Sequence, residues 1–256
     1  MMPAQAPTQS RGLIVLTSVE RLPGGRPAGF WLPEAAYPWL ALATAGWDYA
    51  FTAPRASTPP MGGVDRSDPP QRMFLEDPLV RDRLAQTVTP DELDPADFGV
   101  VFVAGGHGAI VDLPEDAHLA RFLTEFAASG GVLAAICHGV GALLPVLRPD
   151  GRPFVEGRSV TAFTQAEERA VGLDGVVPYF LDEALTERGA RYEAGEPFRS
   201  HVVVDGRLIT GQNPASVVAV AAHAMYLATG ESLPEGWSRR APAWTERRRA
   251  SQELIS

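Results

Sequence analysis

The sequence predicts an α/β protein in which a mostly parallel sheet is sandwiched by helices within a single domain. Short apolar runs at residues 12–18, 98–104 and 132–136 are typical of strands that are buried on both faces. Residues 115–129 lie between two of these runs and carry apolar side chains at helical spacing. Strands that alternate with amphipathic helices favour a parallel sheet, whose ligands bind beyond the carboxyl ends of the strands.

Turn and cap signals predict the remaining elements. A helix is expected from Pro33 to just before Gly46, with Pro38 marking a kink or a late start. Residues 54–72 are rich in Pro, Gly and Ser and predict a long loop. The other predicted elements are a strand over 47–53, a helix that follows residues 137–139 and runs to about Leu147, a helix near 178–188, a hairpin of 201–204 with 207–210, and a helix over 214–228.

Composition restricts the class of protein. The 256 residues carry a formal charge of -9, which argues against a nucleic-acid partner, because phosphate contacts need clustered Lys and Arg. The single cysteine excludes an internal disulfide. No apolar run approaches the roughly 18 residues of a membrane span, and residues 1–11 lack the apolar segment of a signal peptide. A cytoplasmic protein without a membrane partner is therefore expected.

The domain is predicted to cover residues 11–230, followed by a C-terminal extension over 231–256. This last part loses apolar periodicity and contains the basic run 247–249. It is interpreted as a surface extension or an oligomer contact, with a basic binding arm as the alternative.

Cys137 is the central candidate for chemistry. It follows the strand at 132–136 and precedes a predicted helix, with Ala135 and Gly139 two residues away on either side. This is the nucleophile-elbow pattern with cysteine in place of serine. A position near a helix N-terminus is expected to favour the thiolate. The alternative is a buried, inert cysteine.

A second glycine-rich turn, residues 105–108, follows another predicted strand. We expect the backbone N–H of Gly106, together with that of His138, to stabilise an oxyanion beside Cys137. His107 either lines the same site or hydrogen-bonds within its own turn. A phosphate-binding loop is disfavoured because neither GxGxxG nor GxxxxGK occurs.

Two further side chains are candidates for proton transfer. His138 adjoins the cysteine and is the natural base for its thiol. Glu34 is flanked by apolar residues, which predicts a raised pKa and a general acid or base, although it is also an ordinary acid for a first helical turn. No pair of the five histidines has the spacing of a helical zinc motif, so no metal site is predicted.

Taken together, these motifs resemble the ThiJ/PfpI superfamily, whose fold is flavodoxin-like and similar to that of class I glutamine amidotransferases. Within it, the chain is most similar to the branch of heat-shock chaperones that are also glutathione-independent glyoxalases (glyoxalase III). The resemblance covers about residues 11–228. The matching segments are GFWLPEAAYP (29–38), AGGHG (104–108), GGVLAAICHG (130–139), GRSVTAFT (157–164), EE (167–168) and LITGQNPAS (208–216).

The resemblance implies roles for individual residues. It makes Cys137 the nucleophile, His138 its triad neighbour and Glu34 the acid that contacts the thiol. The third triad member is aligned with Glu168, and Glu167 is the alternative. Trp31, together with Gly106 and His107, is expected to contribute to substrate binding.

The implied reaction converts methylglyoxal, a small dicarbonyl substrate, into lactate through a hemithioacetal on Cys137. Because the reaction is redox-neutral, no cofactor is expected, and Glu34 is expected to share a proton with the thiol. The superfamily also implies a homodimer. Two alternatives stay open: a stress chaperone or redox sensor that uses an oxidisable Cys137, and a cysteine hydrolase or hydratase of another small substrate.

Overall fold

The computed structural model describes residues 9–239 and contains a six-stranded central sheet. Five strands are mutually parallel, and only the edge strand Val202–Asp205 (β9) runs antiparallel to its neighbour, Leu208–Gly211 (β10). The predicted hairpin is therefore confirmed as β9 with β10. The strand order is β3 (Asp48–Thr52), β1 (Arg11–Val15), β5 (Val100–Val103), β6 (Val132–Ile136), β10 (Leu208–Gly211) and β9 (Val202–Asp205).

Two short parallel pairs lie outside this sheet, and helices cover both of its faces. The pairs are β2 (Phe30–Trp31) with β4 (Met61–Gly62), and β7 (Ser159–Val160) with β8 (Arg191–Tyr192). The α-helices are α1 (Pro33–Thr44), α2 (Pro69–Glu76), α3 (Pro78–Ala85), α4 (Ala109–Asp112), α5 (Ala117–Ala128), α6 (Gln165–Val171), α7 (Leu181–Glu187) and α8 (Val217–Thr229). Within residues 9–239, no helix has the length and apolar character needed to span a bilayer.

The hydrophobic core is divided into two layers by the sheet. Side chains alternate between the faces of a strand, so Ile14 and Phe102 belong to the layer formed with α1, α2 and α8. Leu13 and Val101 point the other way, into the layer formed with α5 and α7. This two-sided burial explains why the strands are continuous apolar runs, and it confirms the predicted α/β sandwich.

The carboxyl ends of β5 and β6 define where a site can form. These strands are parallel neighbours in which Val103 pairs with Ala135. The turn that follows β5 and the cysteine that follows β6 therefore emerge side by side at the same edge of the sheet. The proximity of Gly106 and Cys137 is a direct result of this register.

Two predictions about local structure were wrong, and one of the two alternatives for Pro38 is excluded. The segment 54–72 is not a continuous loop, because it contains β4 and the start of α2, where Pro69 and Pro70 occupy a first turn that needs no N–H donors. Pro38 does not mark a late start, since α1 is helical from Pro33 onward and the proline removes only one intrahelical donor. The helix expected after residues 137–139, to about Leu147, is instead a 3₁₀ helix that begins at the cysteine and ends earlier, Cys137–Leu143.

The chain continues to pack onto the domain after α8. Trp237 is buried and contacts Tyr37 of α1 edge-to-face, with ring centroids 6.4 Å apart. The predicted extension therefore includes at least one residue of the core cluster that contains α1 and α8. The basic run 247–249 lies outside the described residues.

Replacing Trp237 with alanine is expected to lower the free energy of unfolding by about 3–5 kcal/mol, because a large buried ring leaves a cavity. Urea denaturation would measure the change. Glu235→Ala, at a nearby exposed position, is the matched control and should alter stability by less than about 0.5 kcal/mol. Equal stability of the two variants would show that Trp237 does not contribute to the core.

Candidate active site

Cys137 occupies a strained turn at the end of β6. Its φ angle is +56°, in the left-handed region that non-glycine residues rarely adopt, and its side chain is buried. The chain passes directly from the strand into the 3₁₀ helix at this residue. The nucleophile-elbow geometry predicted from the sequence is therefore present.

Glycines around the elbow permit the close approach of backbone segments. A Cβ atom on Gly139 would lie 2.6 Å from the carbonyl oxygen of Val103 and 2.7 Å from that of Ala104. A Cβ on Gly105 would lie 2.7 Å from Glu34 Oε2 and 2.8 Å from Cys137 Cβ. Larger residues at either position would displace the elements that form the site.

His138 connects the thiol to a carboxylate. Cys137 Sγ lies 3.3 Å from His138 Nδ1, and His138 Nε2 lies 2.5 Å from Glu168 Oε1. An ionised carboxylate only accepts hydrogen bonds, so Nε2 carries the proton and Nδ1 presents its lone pair to the sulfur. The imidazole is thus oriented to receive the thiol proton.

The charges of this pair follow from its surroundings. Burial lowers the pKa of His138, and the hydrogen bond to Glu168 offsets part of that effect, so the imidazole is neutral at pH 7. Burial alone would raise the pKa of Glu168, but hydrogen bonds from His107 and His138 outweigh it and lower the value to about 2. Glu168 therefore remains ionised and holds both rings.

Glu34 faces the cysteine from the first turn of α1. Its Oε2 accepts a hydrogen bond of 2.8 Å from the backbone N–H of Gly105, whereas its buried Oε1 has no hydrogen-bond partner among the described residues. Burial raises its pKa from the ordinary value of 4.5 to about 8, despite opposing contributions from Gly105 and Cys137. At neutral pH the carboxyl consequently carries a proton.

The thiolate expected from the elbow position is not favoured in the resting site. Burial, and then the charge of Glu34, raise the pKa of Cys137, while the N–H groups of His138 and Gly106 lower it only in part. The prediction was wrong because it considered the helix N-terminus and not the depth of the sulfur. Those two N–H groups lie within hydrogen-bond reach of the sulfur, and their role as oxyanion donors stays a prediction.

His107 belongs to this cluster and is not confined to its own turn. Its Nε2 lies 3.2 Å from Glu168 Oε2, and its ring lies 4.1 Å from that of His138, centroid to centroid. The side chain is partly exposed, toward a cavity. Glu168 therefore binds one imidazole with each of its two oxygens.

Glu167 has a different environment from its neighbour. It forms a capping box with Thr164 and accepts hydrogen bonds from the side chains of Gln212 and Asn213 and from the N–H of Phe198. None of these contacts reaches the cysteine or its histidine. Of the two carboxylates that the sequence left open, Glu168 is the one that contacts His138.

A cavity of about 190 Å³ opens above the thiol. This volume is below the range of about 300–1,000 Å³ typical of sites for drug-sized ligands, so only a small molecule fits inside. Its lining is mostly apolar, which restricts water near the sulfur. The lining residues are Trp31, Gly106, His107, Cys137, His138, Phe163, Val171, Phe198 and Pro214.

Comparison with known proteins places the chain in a family. The profile of the DJ-1/PfpI family matches residues 28–226, more than half of the sequence. The chain belongs to the DJ-1/PfpI family. It is 29% identical to the Saccharomyces cerevisiae glutathione-independent glyoxalase HSP31, over 82% of this chain and 94% of that protein. It is 28% identical to Candida albicans glyoxalase 3, also over 82% of this chain and 94% of that protein.

Solved structures support the same assignment of fold. The Francisella tularensis rapid encystment protein REP24 superposes with a TM-score of 0.82 at 28% identity, covering 85% of this chain and 98% of that one. Glyoxalase III from Candida albicans gives a TM-score of 0.78 at 24% identity, covering 86% and 98%. The DJ-1/PfpI fold thus extends over most of the sequence.

This DJ-1/PfpI site brings together all seven residues singled out in the sequence: Glu34, Cys137, His138 and Glu168, with Trp31, Gly106 and His107. Sequence reasoning missed four lining residues, Phe163, Val171, Phe198 and Pro214. Phe163 and Pro214 lie within segments that resemble the superfamily. No sequence signal marked Val171, the last residue of α6, or Phe198, because their places at the cavity depend on contacts between segments far apart in the chain.

One cluster in the DJ-1/PfpI site has the donor set of a metal centre, which the spacing of the histidines did not suggest. Ligand atoms of His107, His138 and Glu168 all lie within 4.8 Å of one another. In the structure, however, both imidazole Nε2 atoms donate to Glu168. An ion would have to displace these two hydrogen bonds, so the donors are satisfied without it.

Alanine at position 139 is expected to destabilise the domain by about 2–4 kcal/mol, because its Cβ would meet the fixed backbone of the β5 end. Gly141→Ala, in the same 3₁₀ helix, is the matched control, since its Cβ would lie no closer than 3.3 Å to Leu181 Cδ2. Urea denaturation of both variants tests the comparison. Equal losses of stability in the two variants would contradict the close approach of Gly139 to β5 as the reason for glycine at this position.

Proposed function

We propose that this protein is a glutathione-independent glyoxalase that converts methylglyoxal into lactate. The observation that carries the proposal is the pairing of Cys137, which lines a cavity too small for a peptide, with the buried, protonated carboxyl of Glu34. The names of the Saccharomyces and Candida relatives support the same activity.

The first step joins the substrate to the sulfur. His138 Nδ1 accepts the thiol proton as Sγ bonds to the aldehyde carbon. Charge develops on the aldehyde oxygen, within reach of the N–H groups of Gly106 and His138, and Glu34 donates its proton to that oxygen. The product is a hemithioacetal, and Glu34 is left as a carboxylate.

The second step moves hydrogen between the two carbonyl carbons. A carboxylate with a pKa of about 8 is a stronger base than an ordinary one, and it removes the proton from the former aldehyde carbon. The ketone oxygen takes a proton from the imidazolium of His138, which gives an enediol. Glu34 then delivers its proton to the second carbon and accepts the hydroxyl proton from the first, leaving a lactoyl thioester on Cys137.

Hydrolysis completes the cycle. Water adds to the thioester with His138 as the base, the carbon–sulfur bond breaks, and lactate leaves as the thiol regains its proton. The sum is methylglyoxal plus water to lactate, with no net oxidation. Glu168 takes no proton in this scheme, and its function is to hold the tautomer of His138.

The resting site favours this role over that of a redox sensor. Susceptible sensor cysteines are exposed and have a low pKa, whereas Cys137 is buried and burial raises its pKa. The state of the thiol thus supports an enzyme that activates its nucleophile only when substrate and base are in place.

The test is lactate formation from methylglyoxal by reduced, purified protein in the absence of glutathione. Cys137 is the single cysteine of the chain, so protein treated with iodoacetamide is a specific control and should form no lactate. Folded, reduced protein that formed none would contradict the proposal. Light scattering would check the expected homodimer, and cell fractionation the expected cytoplasmic location.

A further inference from the structure

Two residues between 9 and 239 have a positive φ angle without being glycine, Cys137 at +56° and Phe198 at +59°. Both line the same cavity. A phenylalanine in this region is strained by an amount of order 1–3 kcal/mol, which persists only where the surrounding structure enforces it. The strain at Cys137 serves the nucleophile, and the strain at Phe198 requires a separate explanation.

The conformation of Phe198 is held by a buried carboxylate. Glu167 Oε1 accepts a hydrogen bond of 2.8 Å from the backbone N–H of Phe198 and another of 2.8 Å from Asn213 Nδ2. Asn213 Nδ2 also donates to the carbonyl of Arg199, at 2.8 Å. The peptide group that precedes Phe198 and the one that follows Arg199 are therefore held by Glu167 and Asn213, which belong to the body of the domain.

The anchored backbone places the ring at the opening of the cavity. Phe198 is 49% exposed, and its ring lies 6.4 Å from that of Phe163, centroid to centroid. Phe163 in turn lies 4.7 Å from the ring of His138. The two phenylalanines thus extend from the catalytic imidazole to the surface, and Trp31 and Val171 complete the partly exposed rim.

We propose that Phe198 is a specificity-determining residue that limits the size of the group on the ketone carbon, and that Glu167 is the positioning residue that holds it there. The inference rests on the proposed glyoxalase function. Once the aldehyde carbon is bonded to Cys137, the ketone substituent points away from the sulfur into the small space that the ring bounds. The site then accepts short aliphatic 2-oxoaldehydes and disfavours aryl ones.

The kinetic test compares methylglyoxal with phenylglyoxal in wild type, F198A and V204A. Val204 is an exposed residue of β9 that does not line the cavity, so V204A controls for loss of surface side chain. In F198A we expect the ratio of kcat/KM for phenylglyoxal to that for methylglyoxal to rise about tenfold or more. An unchanged ratio in folded F198A would overturn the proposal.

A second variant separates the ring from the backbone strain. F198G also removes the ring, but glycine adopts a positive φ angle without cost. The two variants should show the same change in selectivity even if F198A is poorly folded. A change in F198A alone would assign the effect to loop distortion and overturn the role of the ring.

Access to the cavity can be measured without turnover, because Cys137 is the single thiol of the chain. The rates of alkylation by iodoacetamide and by N-benzyl iodoacetamide give a ratio in which the thiolate fraction cancels. Loss of the ring should raise the relative rate of the bulky reagent about tenfold. A raised ratio of alkylation rates without any lactate formation would support the role of Phe198 and contradict the glyoxalase function. Lactate formation with an unchanged ratio would support the glyoxalase function and contradict the role of Phe198.

The role of Glu167 is tested with Glu167→Gln. The amide keeps the size of the side chain but replaces one of the two carboxylate oxygens, of which Oε1 accepts from Phe198 and Asn213 and Oε2 from Thr164 and Gln212, with an NH₂ donor. If Glu167 positions Phe198, both selectivity ratios should shift in the direction seen for F198A, by a smaller factor. A lower melting temperature with unchanged ratios would reduce Glu167 to a structural role.

Discussion

Replacing Cys137 with alanine is expected to abolish lactate formation from methylglyoxal, a loss of more than about 10³-fold in kcat/KM. No other group in the cavity can form the carbon–sulfur bond on which the later proton transfers depend. His107 and His138 both direct an Nε2 proton to Glu168, so neither is a free nucleophile on that side. Lactate would be measured enzymatically after incubation without glutathione.

Two controls make the loss interpretable. Cys137→Gly accommodates the φ angle of +56°, so equal inactivity of the glycine and alanine variants would exclude strain as the cause. V204A, on the exposed face of β9, should retain wild-type turnover. Activity of the alanine variant within about tenfold of wild type would contradict covalent catalysis by Cys137.

Glu34→Gln is expected to reduce turnover by about 10²–10⁴-fold while leaving the fold intact, because the amide neither donates an acidic proton nor removes one from carbon. In the wild type, the backbone N–H of Gly105 donates to Glu34 Oε2. In the variant, the glutamine Oε1 can accept the same hydrogen bond. Cys137 should therefore remain reactive toward iodoacetamide. Wild-type turnover in this variant would assign the base to another residue.

Glu34→Gln should also change how the free energy of unfolding depends on pH. The pKa of Glu34 is 4.5 ordinarily and about 8 in the folded protein, so the folded state binds more protons between these values. The contribution of Glu34 protonation to the free energy of unfolding is fully present below about pH 4.5 and is lost as the pH rises toward 8. Glu34→Gln should therefore be more stable than wild type at pH 8 by about 3–5 kcal/mol.

Urea denaturation at pH 5 and pH 8 would measure this effect. The difference between wild type and Glu34→Gln should be small at the lower pH and grow at the higher one. If the free energy of unfolding changed equally with pH in the two proteins, Glu34 would have its ordinary pKa in the folded state. An acid whose burial costs stability at working pH is typical of active sites rather than of cores.

Local pattern in the sequence was sufficient for the main features of fold and site. Apolar runs predicted β5 and β6, since strands buried on both faces need no polar positions. The small residues around Cys137 predicted the elbow, because the close approach of Gly139 to β5 permits no side chain. The apolar neighbours of Glu34 predicted its raised pKa, which burial produces in the folded protein.

Only the tertiary structure decided the features that depend on residues far apart in the chain. Glu167 and Glu168 are adjacent and chemically identical, yet one contacts His138 and the other Phe198. The pKa of Cys137 depends on how deeply the folded chain buries the sulfur and on the charge of Glu34, 103 positions earlier. Such long-range burial and contacts leave no periodicity in the sequence, whereas strand, turn and cap preferences are local and do.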